Sequence, residues 1–209
     1  MKYSFIIPVY NRPDEVDELL DSLTRLTIRD FEVIVVEDGS SIPCKDVVDK
    51  YADRLTTHYY NKANSGPGQT RNYGVERANG EYMLILDSDC ILPERYLEAV
   101  EAELQQQKAD AFGGPDRAHD SFTDVQKAIN YAMTSFFTTG GIRGGKKKLD
   151  KFYPRSFNMG VRKMSIRLWE VSRRCVSVRT LISVSESSKE DINVDFFLKH
   201  GYGTSEGRI

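Results

Sequence analysis

A chain of 209 residues, 40% apolar and 29% charged, is long enough for one domain with a sizeable core. Its 29 basic and 31 acidic residues leave a formal net charge of −2, which gives no general reason to expect nucleic acid or an anionic membrane as partner. Cys44, Cys90 and Cys175 are widely spaced and form no CxxC pair, and no stretch approaches the ~20 apolar residues of a membrane span or the h-region of a signal peptide, so the chain reads as cytoplasmic, with a membrane-bound substrate compatible with that.

Taken in order, "YSFIIPVY" (3–10) and "FEVIVVEDGS" (31–40) are short apolar runs rich in Ile and Val, ended by turn residues, as strands buried on both faces require. Between them Val16, Leu19, Leu20, Leu23 and Leu26 recur at helical spacing behind Pro13 and Asp14, residues that favour a helix start. The alternation predicts a short helix near 45–52, a strand near 56–60, a helix from about Gly68 to Ala78, a strand over 82–86 and a helix from about Pro93 to Gln107. This is the pattern of an α/β fold with a mostly parallel sheet and helices on both faces. Ligands in such sheets gather outside the carboxyl ends of the strands, where this chain carries Tyr10 and Asn11, Glu37 and Asp38, and Asp87 and Asp89.

The stretch "YMLILDSDCILP" (82–93) ends a buried strand in Asp87-Ser88-Asp89. Two acids this close are tolerated when solvated, hydrogen-bonded or bridged by a cation, and oxygen ligands of this kind suit Mg²⁺ or Mn²⁺ shared with substrate phosphates. His58, His119 and His200 are scattered and offer no competing metal cluster. In "VVEDGSS" an acid at Glu37 or Asp38 can accept hydrogen bonds from a base or ribose, or act simply as a loop or helix cap. In "NSGPGQTRNYG" (64–74), Gly66 and Gly68 let backbone approach a ligand and Arg71 can meet a phosphate, but the stretch fits neither a phosphate-binding loop nor a dinucleotide fingerprint.

In this order and spacing, "FIIPVYNRPDEVDELLDSL", "FEVIVVEDGSS", "GPGQTRNYGVERANGEYMLILDSD" and "FYPRSFNMGVRK" resemble family 2 glycosyltransferases, with the GT-A nucleotide-sugar-binding fold. The resemblance covers about residues 3–163 and implies a domain over 1–163, followed by an atypical tail over 164–209. It implies that Pro8, Tyr10, Asn11 and Asp38 line the nucleoside pocket and that Arg71 approaches the nucleotide. Asp87 and Asp89 resemble the family's acid-x-acid motif, Asp89 the better candidate for the metal and Asp87 for ribose or metal. Glu37, Gly66 and Ser88 belong to the same donor-binding set, and Asn158 and Met159 in "SFNMG" (156–160) resemble the segment beside the sugar, though either fits a core position equally well. The implied reaction moves a hexose from a nucleotide-diphosphate donor, a uridine one, to a hydroxyl of a saccharide or lipid-linked acceptor, with inversion and with Mn²⁺ or Mg²⁺ as cofactor. The glycine-rich basic segment "TTGGIRGGKKKLDKFYP" (138–154) reads as a mobile loop, either near the acceptor or simply a solvated surface loop.

After Lys163 the resemblance breaks. The family continues with a Gly-Gly-Phe turn and an acidic pair whose aspartate is the general base. Here Glu190 and Asp191, in "KEDINVDFFLKHGY", match such a pair superficially and make Asp191 the in-frame candidate base. Read two bases along, however, the Trp169 codon followed by that of Glu170 yields GGA, a glycine, and permitted codon choices elsewhere restore the turn, the acidic pair and the following helix. The expectation is an out-of-frame tail from about Met164, with the base lost across Arg179 and Thr180. Two rivals stand beside active transfer: a nucleotidyltransferase on a similar sheet, and a nucleotide-sugar-binding remnant without catalysis.

Overall fold

The computed structural model describes residues 1–106, 109–113 and 158–165, together with the backbone of 194–196. Strand β1 (Tyr3–Val9) leads into helix α1 (Pro13–Leu23), then β2 (Phe31–Asp38), α2 (Lys45–Asp49), β3 (Thr57–Lys62), α3 (Pro67–Arg77), β4 (Tyr82–Leu86) and α4 (Tyr96–Gln106). Three further strands follow: β5 (Ala111–Gly113), β6 (Asn158–Arg162) and β7 (Val194–Phe196). They form one seven-stranded sheet in the order β3-β2-β1-β4-β6-β5-β7. Strands β1 to β4 pair in parallel, β6 runs antiparallel to both β4 and β5, and β7 lies parallel to β5. The expected mostly parallel sheet is therefore what forms, with β6 alone reversed. Helix α4 starts at Tyr96 rather than near Pro93, because residues 93–95 form a turn in which the Tyr96 amide donates to the Pro93 carbonyl at 2.9 Å.

Side-chain alternation along the strands sorts the core into two layers. Tyr3, Phe5 and Ile7 of β1, Val33 and Val35 of β2, and Leu84 and Leu86 of β4 pack against Val16, Leu19, Leu20 and Leu23 of α1, Val48 of α2, and Tyr96, Leu97 and Val100 of α4. On the opposite face Ile6, Ile34, Val36, Met83 and Ile85 meet Tyr73, Val75 and Ala78 in and just beyond α3. Every α1 residue of that apolar stripe is wholly buried, so truncating Leu19 or Leu20 to alanine costs about 2–5 kcal/mol. Helix α3 approaches the sheet closely at Gly74. A Cβ on Gly74 would come within 2.6 Å of Ile6 Cγ2 and 3.3 Å of Val36 Cγ2, so glycine at this position sets the spacing.

The amino end of the sheet is tied by a buried acid. Glu32, 1% exposed, accepts from the Ser4 hydroxyl at 2.6 Å and the Asn79 amide at 2.6 Å, and lies 3.3 Å from His58 Nε2. Ser4 Oγ in turn accepts from the Gly80 amide at 2.8 Å. These bonds fix the exit of α3 to the start of β1 and β2, and so fix the whole helix at its far end.

Candidate active site

The carboxyl ends of β1, β2 and β4 converge on one rim. At β1 the chain turns through Asn11, which takes the left-handed φ of 55° that Asn tolerates better than most residues. Asn11 Oδ1 accepts from the Ser41 amide (2.8 Å), the Ser41 hydroxyl (3.0 Å) and the Ile42 amide (3.0 Å), while its own amide donates to Ser40 Oγ at 2.8 Å. The loop after β2 is thus laced to the loop after β1, and Tyr10 stands beside it 53% exposed. Pro8 lies just beneath, half-buried, opposite Val36.

Glu37 and Asp38 face opposite sides of β2 and differ in what they hold. Glu37 is 0% exposed: its carboxylate accepts from the Ser40 hydroxyl, the Cys44 amide (2.8 Å) and the Tyr59 hydroxyl (3.1 Å). Of the two readings of Glu37, ligand acid or loop and helix cap, the structure favours the cap, because an acid with no exposure and both oxygens taken anchors the start of α2. Burial and the adjacent carboxylate push the Tyr59 phenol and the Cys44 thiol up. Asp38 turns to the α3 side, pairs with Lys62 and accepts from the Ser65 and Gly66 amides at 2.9 Å each. Burial opposes its ionisation, yet the Lys62 ammonium, the Ser65 amide and Thr70 together hold its carboxyl below the usual aspartate range. Gly66 has a φ of 89°, and its amide is spent on Asp38 rather than offered outward. Asp38 and Gly66 together shape the mouth of α3.

One turn into α3, Arg71 reaches Asp87 at the end of β4: Nη2 lies 2.7 Å from Oδ1. The Arg71 side chain is 12% exposed and its Nε is buried without a hydrogen-bond partner, so the guanidinium is held chiefly by that acid. Asp87 is 39% exposed and Asp89 57% exposed. The Cys90 amide closes the turn onto the Asp87 carbonyl at 3.3 Å, and Ser88 is buried within it. Arg12 Nη1 comes from the β1–α1 junction to within 3.3 Å of Asp89 Oδ2. The rim thus presents two accessible carboxylates, each facing a guanidinium.

No group of three His, Cys, Asp or Glu side chains able to hold a metal occurs among the described residues. Two adjacent, solvent-reaching carboxylates are nevertheless a fitting partial donor set for a hard cation that takes its remaining oxygens from water and a phosphate. Antiparallel pairing sets Asn158 opposite Leu86, next to Asp87, so β6 brings its first residue to this rim. Met159 is 2% exposed inside the α3-side core, the core alternative of its two readings and not the place beside a sugar. Asp191, Glu190 and the basic segment 138–154 lie outside the described residues.

A family model described as Glycosyl transferase family 2 matches residues 4–169, more than half of the sequence. The chain belongs to glycosyl transferase family 2. Among its relatives, the poly(ribitol-phosphate) beta-N-acetylglucosaminyltransferase TarS of Staphylococcus aureus is 35% identical over 114 residues, 53% of this chain and 20% of that protein. An uncharacterized glycosyltransferase of Haemophilus influenzae is 34% identical over 130 residues, 60% of this chain and 44% of that one. The chain therefore spans less than half the length of these relatives. The crystal structure of S. aureus TarS 1-349 in complex with UDP superposes with a TM-score of 0.64 at 25% identity, covering 82% of this chain and 49% of that one. The mannosyltransferase PcManGT of Pyrobaculum calidifontis, in complex with GDP-Man and Mn²⁺, shares the fold with a TM-score of 0.58 at 18% identity, over 80% of this chain and 46% of its own. Membership of this family leaves the nucleotidyltransferase rival without support.

Arg12 is the rim residue that sequence reasoning missed. Its partner is 77 positions away, and the local signal, a basic residue just before a helix, points to nothing in particular. Glu37 had a usable signal. It shares the parity of Val33 and Val35, so alternation alone turns it to the α1 and α2 side.

Proposed function

We propose that this chain binds a nucleotide-diphosphate sugar, a uridine one, and serves transfer of the sugar to a hydroxyl of a saccharide or lipid-linked acceptor with inversion. The observation that carries the reading is the pairing of two accessible carboxylates, Asp87 and Asp89, with two arginines at the carboxyl rim of a family 2 sheet. Asp89, with Asp87 beside it, would hold Mn²⁺ or Mg²⁺, and a bound divalent ion would neutralise the leaving diphosphate. Arg71 fixes the Asp87 carboxylate from below. The exposed ring of Tyr10 and the braced loop over Asn11, Ser40 and Ser41 form a wall on which a base can stack. Asp38 shapes the same pocket through the backbone it holds, with Pro8 underneath. We assign Ser88, in the turn after Asp87, and Asn158, paired with Leu86 in the sheet register, to the same donor site. UDP in the TarS complex and GDP-Man with Mn²⁺ in PcManGT support this choice of ligand class. Among the described residues no helix is long and apolar enough to cross a membrane, and we place the chain in the cytoplasm, where sugar nucleotides are made.

Calorimetric titration with a panel of UDP-sugars, with and without Mn²⁺, tests the reading. Ion-dependent heat that Asp89→Ala abolishes supports it, and ion-independent heat or an indifferent Asp89→Ala variant overturns it.

A second reading follows from the tail. Inversion needs a carboxylate to take the acceptor proton. The Gly-Gly-Phe turn that precedes that base in the family is absent, leaving Asp191 as the in-frame candidate. We propose that residues from about 164 are read out of frame, which leaves a donor-binding unit over 1–163 without its base. Nucleotide sequence through codon 164 decides this: no insertion or deletion reconnecting the two frames would sink the idea. Product assays that stay flat while donor binding persists identify the remnant.

A further inference from the structure

The two rim acids are held by arginines of unlike character. Arg71, 12% exposed, lies under Asp87 at 2.7 Å, whereas Arg12 and Asp89 meet at 3.3 Å with side chains 48% and 57% exposed. Arg12 immediately precedes α1 but makes no side-chain capping bond to it, so the helix does not claim its guanidinium. The left-handed turn at Asn11 delivers Arg12 from β1 across to the neighbouring β4 rim. An exposed pair of this kind is weakly held and exchanges readily with solvent ions, while the pair beneath it does not.

A guanidinium on Asp89 Oδ2 and a divalent cation compete for that oxygen and repel each other. We propose that Arg12 neutralises Asp89 in the donor-free protein, yields that oxygen to the cation when cation and diphosphate arrive together, and then turns onto the diphosphate. Arg12 is thereby a positioning residue that couples metal entry to donor entry. The cation alone competes with the arginine for this acid, and nothing compensates the arginine for the contact it gives up. With a diphosphate present, the displaced fork finds two phosphate groups to bind, an anion that suits its geometry better than a single exposed carboxylate. Asp87 stays fixed throughout, so one acid is a permanent wall and the other an exchangeable seat. This inference rests on Asp89 receiving the cation.

The test measures affinity by calorimetry for Mn²⁺ alone, and for UDP in the presence of Mn²⁺, on the wild type and on the Arg12→Ala, Arg12→Lys and Asp89→Ala variants. Arg12→Ala should bind Mn²⁺ alone roughly two- to five-fold more tightly, as expected for loss of an exposed ion pair. The same variant should bind UDP with Mn²⁺ about ten-fold more weakly, the loss of a charge-assisted phosphate contact. Arg12→Lys should fall between wild type and Arg12→Ala in both. A merely structural role for Arg12 would move both affinities in one direction, and that result, or no movement in either, overturns the coupling. If Asp89→Ala meanwhile abolishes the Mn²⁺ dependence, the assignment of the cation to Asp89 survives that failure. If Asp89→Ala leaves the dependence intact, both fall together.

Discussion

Glu32 at the amino end of the sheet and the Asp87-Asp89 pair at its carboxyl end are held in opposite ways. At the amino end Glu32 is buried, saturated with hydrogen bonds from Ser4 and Asn79, and enclosed by the exit of α3. At the carboxyl end Asp87 and Asp89 reach solvent and each faces an arginine. The contrast separates an acid that holds the fold from acids that can change partners, and it does so by burial and by the nature of the donors. A buried hydroxyl on a short side chain and a backbone amide have little room to leave their acceptor. A guanidinium on a long exposed stem has that room.

The largest effect that would sharpen this contrast is at Glu32. Glu32→Ala should cost about 3 kcal/mol, because it strands the Ser4 hydroxyl and Asn79 groups without their acceptor. Urea unfolding reads the loss, and donor binding by the folded fraction should stay unchanged. The same acid sets an acid limb of stability. Burial alone would raise the Glu32 carboxyl, but hydrogen bonds from Ser4 and Asn79 and the nearby His58 hold it below the ordinary glutamate value. A carboxyl depressed on folding contributes stability that is complete above its unfolded pKa of about 4.3 and is lost as pH falls through the lower folded value. Wild type should therefore weaken below about pH 4 more steeply than Glu32→Gln, as read by midpoints across a pH series.

Next in size, Arg71→Ala should weaken Mn²⁺-dependent donor binding by about ten- to a hundred-fold through the freed Asp87, the range for loss of a supporting group behind a metal ligand. Its effect on unfolding should be the smaller one, and a stability loss matching that of Glu32→Ala would break the contrast. Lys62→Ala should cost about 1–2 kcal/mol, less than a fully broken buried pair, because Asp38 keeps its bonds from the Ser65 and Gly66 amides. Arg25→Ala, which removes only the exposed pair with Asp21 one turn away on α1, should change stability by less than about 0.5 kcal/mol.

How far the sequence carried depended on the range of the interaction. Apolar runs and helical spacing located β1 to β4 and α1 to α4, because each signal lies within a dozen residues of itself. The carboxyl-end rule brought Asn11, Asp38 and Asp87 to one rim, since the parallel order makes those ends coincide. The directions of individual side chains were less accessible. The sequence leaves Glu37 open between a ligand acid and a loop or helix cap, and Met159 between pocket and core; parity turns Glu37 inside and β6 buries Met159 against β4. The Arg12 to Asp89 pair depends on two loops from strands far apart in the chain, so no local pattern announces it.

Gly74 carries a consequence for the rim. A helix whose spacer is a single hydrogen atom works as a ruler, and a Cβ there, 2.6 Å from Ile6 Cγ2, would force either that side chain or α3 itself to shift. Arg71 stands three residues earlier on that helix, and wherever α3 is what shifts, its guanidinium would carry the displacement to Asp87. A position with no charge and no exposure therefore calibrates the acid, and tolerance to mutation at 74 should be decided by alignment at the rim as much as by packing beneath it.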